Sequence, residues 1–351
     1  MDSYLAGTNR EEALERARHL NKEGLGTLLA PHFDRETSLT ASQHADRAAE
    51  ETEALIKSMG LKLIRGGLSI DPRDFELEAG WARAMERISP LVVRAEEYGY
   101  GVWLEAEDAE TAGASLDLYL GLRPRFPHLG ITLSARLPRA LSDLSTVTAS
   151  RGRVRLVKGL QFPGEVAGAE GEEPVSDING RFRLLLEILF RESNFFAIAT
   201  HDPELIEEAH RLSETAPRMF EFQLYMGVSD TLARRLVYER GHPTTIYLPY
   251  GEGTGRHIER LARGGRIPPR MTRCRRGFAF CSVLLFRSRN VQKFPGNIDK
   301  HCPVFRKSQI HPVLVDHLDP HIFPCRPAGA TDLFLNLFSE GRREGGLGKT
   351  F

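Results

Sequence analysis

The sequence predicts an α/β protein, a distorted (βα)8 TIM barrel with an extra C-terminal extension, on two observations. Before residue 270, short apolar or β-branched runs recur, each followed by a segment with helical spacing. No GxGxxG fingerprint follows the first run, as it would in many open doubly wound sheets. Repeated strand and helix units without that fingerprint fit a closed parallel barrel.

Taken in order, the expected strands are Leu25–Ala30, Leu61–Ile64, Gly101–Ala106, Gly130–Ala135, Val154–Gly159, Phe195–Thr200, Phe220–Tyr225 and Thr245–Tyr250. After the first strand, Thr40 and Gln43 form a capping box, and Ala41, Ala45, Ala48, Thr52, Leu55, Ile56 and Met59 trace one helical face. After the sixth, Asp202 is placed as an N-cap with Pro203 at the first helical position, and Glu204, Glu207 and Glu208 lie near the positive end of the dipole.

Composition narrows the function classes. The chain has 351 residues, 41% hydrophobic and 27% charged, which is ordinary globular usage. Lys plus Arg and Asp plus Glu both number 47, so no net field draws the whole molecule to nucleic acid or anionic lipid. No apolar run approaches the roughly 18 residues of a membrane span, and the opening MDSYLAGTNREEALERARHL lacks a signal-peptide core. On these features a cytoplasmic location is expected. The final 81 residues, 271–351, hold 13 basic against 6 acidic residues, 9 of the 19 Phe and all four Cys. A domain end is expected at GGRIPPRMTRCRRG, giving a barrel over 1–268 and an extension over 269–351.

Barrel chemistry collects where strands end and helices begin. Those positions carry Glu105, Glu107, Asp108, Ser134, Arg155, Lys158, Thr200, His201, Gln223 and Tyr247, and strand two adds Lys62. Such a set of cations suits an anionic ligand. Each also has a plainer reading: Lys or Arg paired with a neighbouring strand's carboxylate, a solvated acidic loop at 105–108, and a structural hydrogen bond for His201.

VRLVKG, then FFAIATHDPELIEEA, RMFEFQLYMG and TIYLPYG, with LKL, WLEAED and FPHLGITLSARLPR upstream, resemble in order and phrasing the proline dehydrogenase family, its single-function bacterial members in particular. The resemblance covers about residues 4–265. It implies FAD-dependent oxidation of L-proline to 1-pyrroline-5-carboxylate on a distorted barrel. In that reaction a hydride passes from C5 to flavin N5 and the electrons go on to a quinone. It further implies that Arg155 and Lys158 contact the flavin, stabilising the reduced ring, and that Thr200, His201 and Gln223 lie against the FAD. Lys62 would reach the proline carboxylate, Tyr247 would wall the substrate pocket and Glu105 would partner the active-site cations. Peripheral membrane contact follows from the relatives alone, since no basic amphipathic helix argues for it.

The family closes its carboxylate clamp with a pattern like YxxRRL after the eighth strand. Here that helix reads GRHIERLARGG. Arg260 is the expected clamp residue, with either Glu259 or Leu261 standing where a second arginine belongs. One missing bidentate guanidinium is worth roughly 1.5–3 kcal/mol, so proline affinity should fall by about one or two orders of magnitude. KGLQ puts Gln161 where the family has a tyrosine, and Ser134-Ala135-Arg136 replaces a flavin-contacting glutamine motif. These departures leave a second reading, an impaired pseudoenzyme that retains the barrel and its flavin. A third is a barrel lyase using Lys158 as a Schiff-base nucleophile. In the extension, His301, Cys302, His311, His317, His321 and Cys325 lack metal-finger spacing, so no metal is expected.

Overall fold

The computed structural model describes residues 4–34, 38–106, 109–159 and 175–255, all within the first of two units into which the chain divides, Met1–Ala279. The expected boundary at 268/269 and the extension lie outside the described residues. Eight parallel strands close into a barrel in sequence order: β1 Gly26–Pro31, β2 Gly66–Ile70, β3 Gly101–Leu104, β4 Leu129–Ser134, β5 Arg153–Val157, β6 Phe195–Ala199, β7 Met219–Tyr225 and β8 Thr244–Tyr250. The seam is β1 on β8, from Gly26 beside Thr245 to Pro31 beside Tyr250.

Helix α1, Arg10–Lys22, precedes the first strand, and α2 to α8 follow strands one to seven at Ala41–Leu61, Trp81–Glu97, Ala109–Leu122, Ala140–Ala149, Ile178–Glu192, Pro203–Thr215 and Asp230–Arg234. Their apolar stripes meet the outer faces of the strands in the main core. Leu55, Ile56 and Met59 of α2, Ile88, Leu91 and Val92 of α3, and Leu185, Leu186 and Leu189 of α6 are all buried there. The capping box at Thr40 and Gln43 is formed, and Asp202 accepts the Glu204 N–H at 3.0 Å to start α7 behind Pro203.

Strand two differs from the sequence expectation. Leu61 is the last residue of α2 and Lys62 its C-cap. The Leu63 N–H then bonds the Gly60 carbonyl at 3.1 Å and the Ile64 N–H bonds Met59 at 3.0 Å, a Schellman turn with Leu63 left-handed at φ 53°. The strand proper is GGLSI. Its two glycines carry no β-propensity, yet Gly66 is needed: a Cβ there would lie 1.9 Å from the Thr27 carbonyl oxygen.

Following the pairing register, inward positions fall into layers supplied by alternate strands. Leu28, Trp103, Arg155 and Gln223 share one layer. Ser69, Thr132, Ala199 and Tyr247 form the next toward the strand C-termini, and Gly67, Gly130, Ala197 and Thr245 the layer beneath. Leu28, Trp103 and Ala197 make a small apolar cluster separate from the main core, with Phe195 and Tyr247 against it. The Trp103 indole occupies the space left by Gly130, whose added Cβ would approach it to 2.3 Å.

Candidate active site

Arg155 points into the barrel from the middle of β5 and is 3% exposed. Its Nε donates to Thr132 Oγ1 at 2.9 Å and its Nη1 to Ser69 Oγ at 3.3 Å, while Nη2 donates to Glu105 Oε2. Ser69 in turn donates to the other Glu105 oxygen. Glu105 follows β3, its N–H still paired to the Ile70 carbonyl at 2.9 Å. A buried guanidinium is thus matched by a carboxylate and two hydroxyls from three other strands, the arrangement that makes burying a charge tolerable.

Lys158 lies just beyond β5, and its Nζ donates to Asp202 Oδ2 at 2.9 Å. Asn179 of α6 reaches the same oxygen at 3.3 Å. Burial works against ionising Asp202, but the Lys158 hydrogen bond and charge, with the Glu204 and Leu205 N–H groups, outweigh it and hold the carboxyl below its usual range. Both mouth cations are therefore paired with carboxylates, the plainer of the two readings the sequence left open.

Thr200 is buried after β6 and its Oγ1 accepts the Asp202 N–H at 3.1 Å. His201 Nε2 accepts the Tyr225 N–H at 3.1 Å, so the neutral ring carries its proton on Nδ1. Tyr247 of β8 packs at 5.3 Å against Tyr225 with the rings tilted by 34°, and the Arg155 guanidinium carbon lies 5.6 Å from its ring centre. Its hydroxyl is 3.4 Å from His32 Nε2. Gln223 is 3% exposed. Its Nε2 donates to Glu221 Oε1 at 2.7 Å, while its Oε1 is buried with no hydrogen-bond partner among the described residues, which costs about 1–3 kcal/mol.

The structure brings Glu105, Arg155, Lys158, Thr200, His201, Gln223 and Tyr247 to the C-terminal half of the barrel. Lys62 is a correction: as the exposed C-cap of α2 it lies at the N-terminal ends of the strands, the far side from this mouth. The helix runs on to Leu61, so LKL is a turn, and the inward residue that β2 sends to the mouth is Ser69. Arg260, with Glu107, Asp108, Gln161, Glu259 and the His and Cys residues of the extension, lies outside the described residues. Sequence reasoning missed Ser69, Thr132, His32 and Glu221. Alternation along each strand could have placed Thr132 inward, two residues before Ser134, but the isolated serine of GGLSI gave no signal.

A family model described as "Proline dehydrogenase" matches residues 13–263. Proline dehydrogenase 1 of Bacillus subtilis (strain 168) is 26% identical over 252 residues, covering 71% of this chain and 81% of that protein. Proline dehydrogenase of Deinococcus radiodurans is 28% identical over 267 residues, again 71% and 81%. Among solved structures, proline utilization A from Bdellovibrio bacteriovorus inactivated by N-propargylglycine superposes with a TM-score of 0.64 at 18% identity, over 74% of this chain and 32% of that one. A variant of proline utilization A from Bradyrhizobium japonicum gives 0.63 at 21%, over 75% and 31%. The chain thus spans about a third of those two solved proteins, and the likeness to them is one of fold.

Proposed function

The chain belongs to the proline dehydrogenase family, and from that premise we propose that it oxidises L-proline to 1-pyrroline-5-carboxylate using FAD held over the C-terminal mouth of the barrel, with a quinone as electron acceptor. We place it in the cytoplasm, touching the membrane face peripherally where the quinone is reduced, with residues 1–268 as the catalytic domain and 269–351 as an extension. Family membership and the pairing of Lys158 with Asp202 both weigh against the Schiff-base reading of Lys158.

The observation that carries the proposal is the paired set at the mouth, Arg155 with Glu105 and Lys158 with Asp202. The residues present fit a flat, hydrogen-bonding ring system. Gln223 offers a buried acceptor that lacks a partner among the described residues, and Arg155 and Lys158 place positive charge where the ring gains electron density. Bound FAD supplies the two-electron acceptor for the hydride that leaves proline C5.

The chain's own contribution is positioning. Glu105, Ser69 and Thr132 hold the Arg155 guanidinium in one orientation, and Asp202 and Asn179 hold Lys158. Thr200, His201 and Gln223 line the cofactor side, and Tyr247 walls the substrate side. With Lys62 at the opposite end of the barrel, Arg260 is left as the cation for the proline carboxylate.

Anaerobic titration with proline tests the reading: purified protein should be yellow, and proline should bleach the flavin absorbance. A second reading, a flavin-holding barrel with impaired turnover, is favoured by one observation: β2 delivers the uncharged Ser69 to the mouth and no lysine. Yellow protein that saturating proline leaves unbleached would establish that alternative.

A further inference from the structure

Below the mouth, Glu221 of β7 takes hydrogen bonds on both of its oxygens, from Gln223 Nε2 at 2.7 Å and from Thr245 Oγ1 at 2.7 Å. An ionised carboxylate only accepts, so the amide of Gln223 must turn its nitrogen toward Glu221. Its carbonyl oxygen is then left on the other side of the amide, buried and without a partner among the described residues. The inward register puts Glu221 a full turn of the pleat deeper than Gln223, level with Arg153 of β5, whose pKa burial holds below the ordinary value against the opposing Glu221 charge. Glu221 at the deep end of this stack has both oxygens hydrogen-bonded, and the Gln223 oxygen above it is an open acceptor among the described residues.

We propose that Glu221 is a positioning residue that fixes the polarity of Gln223, so that position 223 recognises an N–H donor on the bound ring and rejects a carbonyl. This rests on the flavin reading above. The pyrimidine edge of an isoalloxazine presents two carbonyl oxygens flanking one imide N–H, and a locked acceptor pairs with the N–H alone. A buried acceptor left unmatched is penalised strongly, so the lock selects ligand chemistry as well as ligand orientation.

The test uses binding and needs no turnover. The chain has two tryptophans. In the full-length protein carrying Trp81→Phe and stripped of flavin, Trp103 reports ligand at the barrel mouth through quenching of its emission. FAD and its N3-methyl analogue are titrated separately.

With Glu221 intact, N3-methylation should weaken binding about tenfold or more, the loss of one buried hydrogen bond. Gln223→Met should weaken FAD by about tenfold and abolish the discrimination between the two ligands. Glu221→Met should shrink the methyl penalty to below about threefold, because the amide is then able to turn. Should Glu221→Met fail to fold, Glu221→Gln, which can offer the Gln223 amide a donor as well as an acceptor, keeps the test decisive and should shrink the penalty likewise. Equal affinity for the two ligands in the otherwise native chain, a methyl penalty that persists in Gln223→Met, or one left undiminished when Glu221 is replaced, overturns the positioning role while leaving the flavin reading in place. Absence of any FAD binding overturns both.

Discussion

Arg155 and Glu105 meet across the barrel interior over the head of β4, which contributes Thr132 to the same guanidinium. Three consecutive strands and Ser69 of a fourth are therefore tied to one cation. Each partner alone is a poor thing to bury, since a charge taken from water without its counter-ion costs far more than the pair contributes.

Removing one member should be worse than removing both. Arg155→Met is expected to destabilise the protein by about 3–5 kcal/mol by stranding Glu105, whereas Arg155→Met with Glu105→Gln should recover part of that loss. Urea unfolding of the two variants checks this, and equal midpoints would count against a coupled pair.

Lys62→Ala should leave both proline binding and turnover within about twofold of the parent, because the side chain is exposed at the opposite end of the barrel. Steady-state kinetics decide the matter. A tenfold rise in KM would restore Lys62 to the mouth and overturn its placement.

Leu63 is 89% exposed and holds a left-handed conformation that L side chains adopt at a cost of about 1–2 kcal/mol. Leu63→Gly should therefore stabilise the chain by about 0.5–1 kcal/mol after allowing for glycine's extra freedom when unfolded. Differential scanning calorimetry should show a rise of about 1–3 °C.

His242 precedes β8, packed at 5.2 and 5.4 Å against the rings of Phe220 and Phe222, with its Nε2 2.9 Å from His210 Nδ1. Burial first, then the neighbouring His210 and Arg240, hold its pKa below the ordinary value. A depressed histidine pKa means the unfolded chain binds this proton more readily. The stabilisation is therefore present above about pH 6.5 and is lost as pH falls through the folded value. Unfolding free energies measured between about pH 7 and 5 should decline less steeply in His242→Phe than in the parent. Parallel pH profiles would show that His242 does not drive the decline.

Much of this architecture was legible because strand and helix periods are written into the chain. VRLVKG and FEFQ place Arg155 and Gln223 inward by simple alternation, and Asp202 followed by Pro203 announces α7. Strand two was not legible. LKLI has better strand chemistry than GGLSI, and only the close approach of Gly66 to Thr27 and the turn at Leu63 decide between them. The partners of the mouth cations were hidden for a related reason. Ser69, Thr132 and Glu105 belong to different strands, and nothing local in any one of them foretells that they converge on Arg155.

The seam has a consequence for biosynthesis. Gly7 bridges Tyr250, the Ala6 N–H bonds the Pro249 carbonyl at 2.9 Å, and β1 pairs with β8 along its whole length, from Gly26 to Pro31. While the ribosome is still adding the seventh unit, β1 has one lateral neighbour and an unpaired margin. Closure is thus a late, long-range event, and nascent chains truncated before Thr244 should stay open to proteases and chaperones however well their earlier helices have formed.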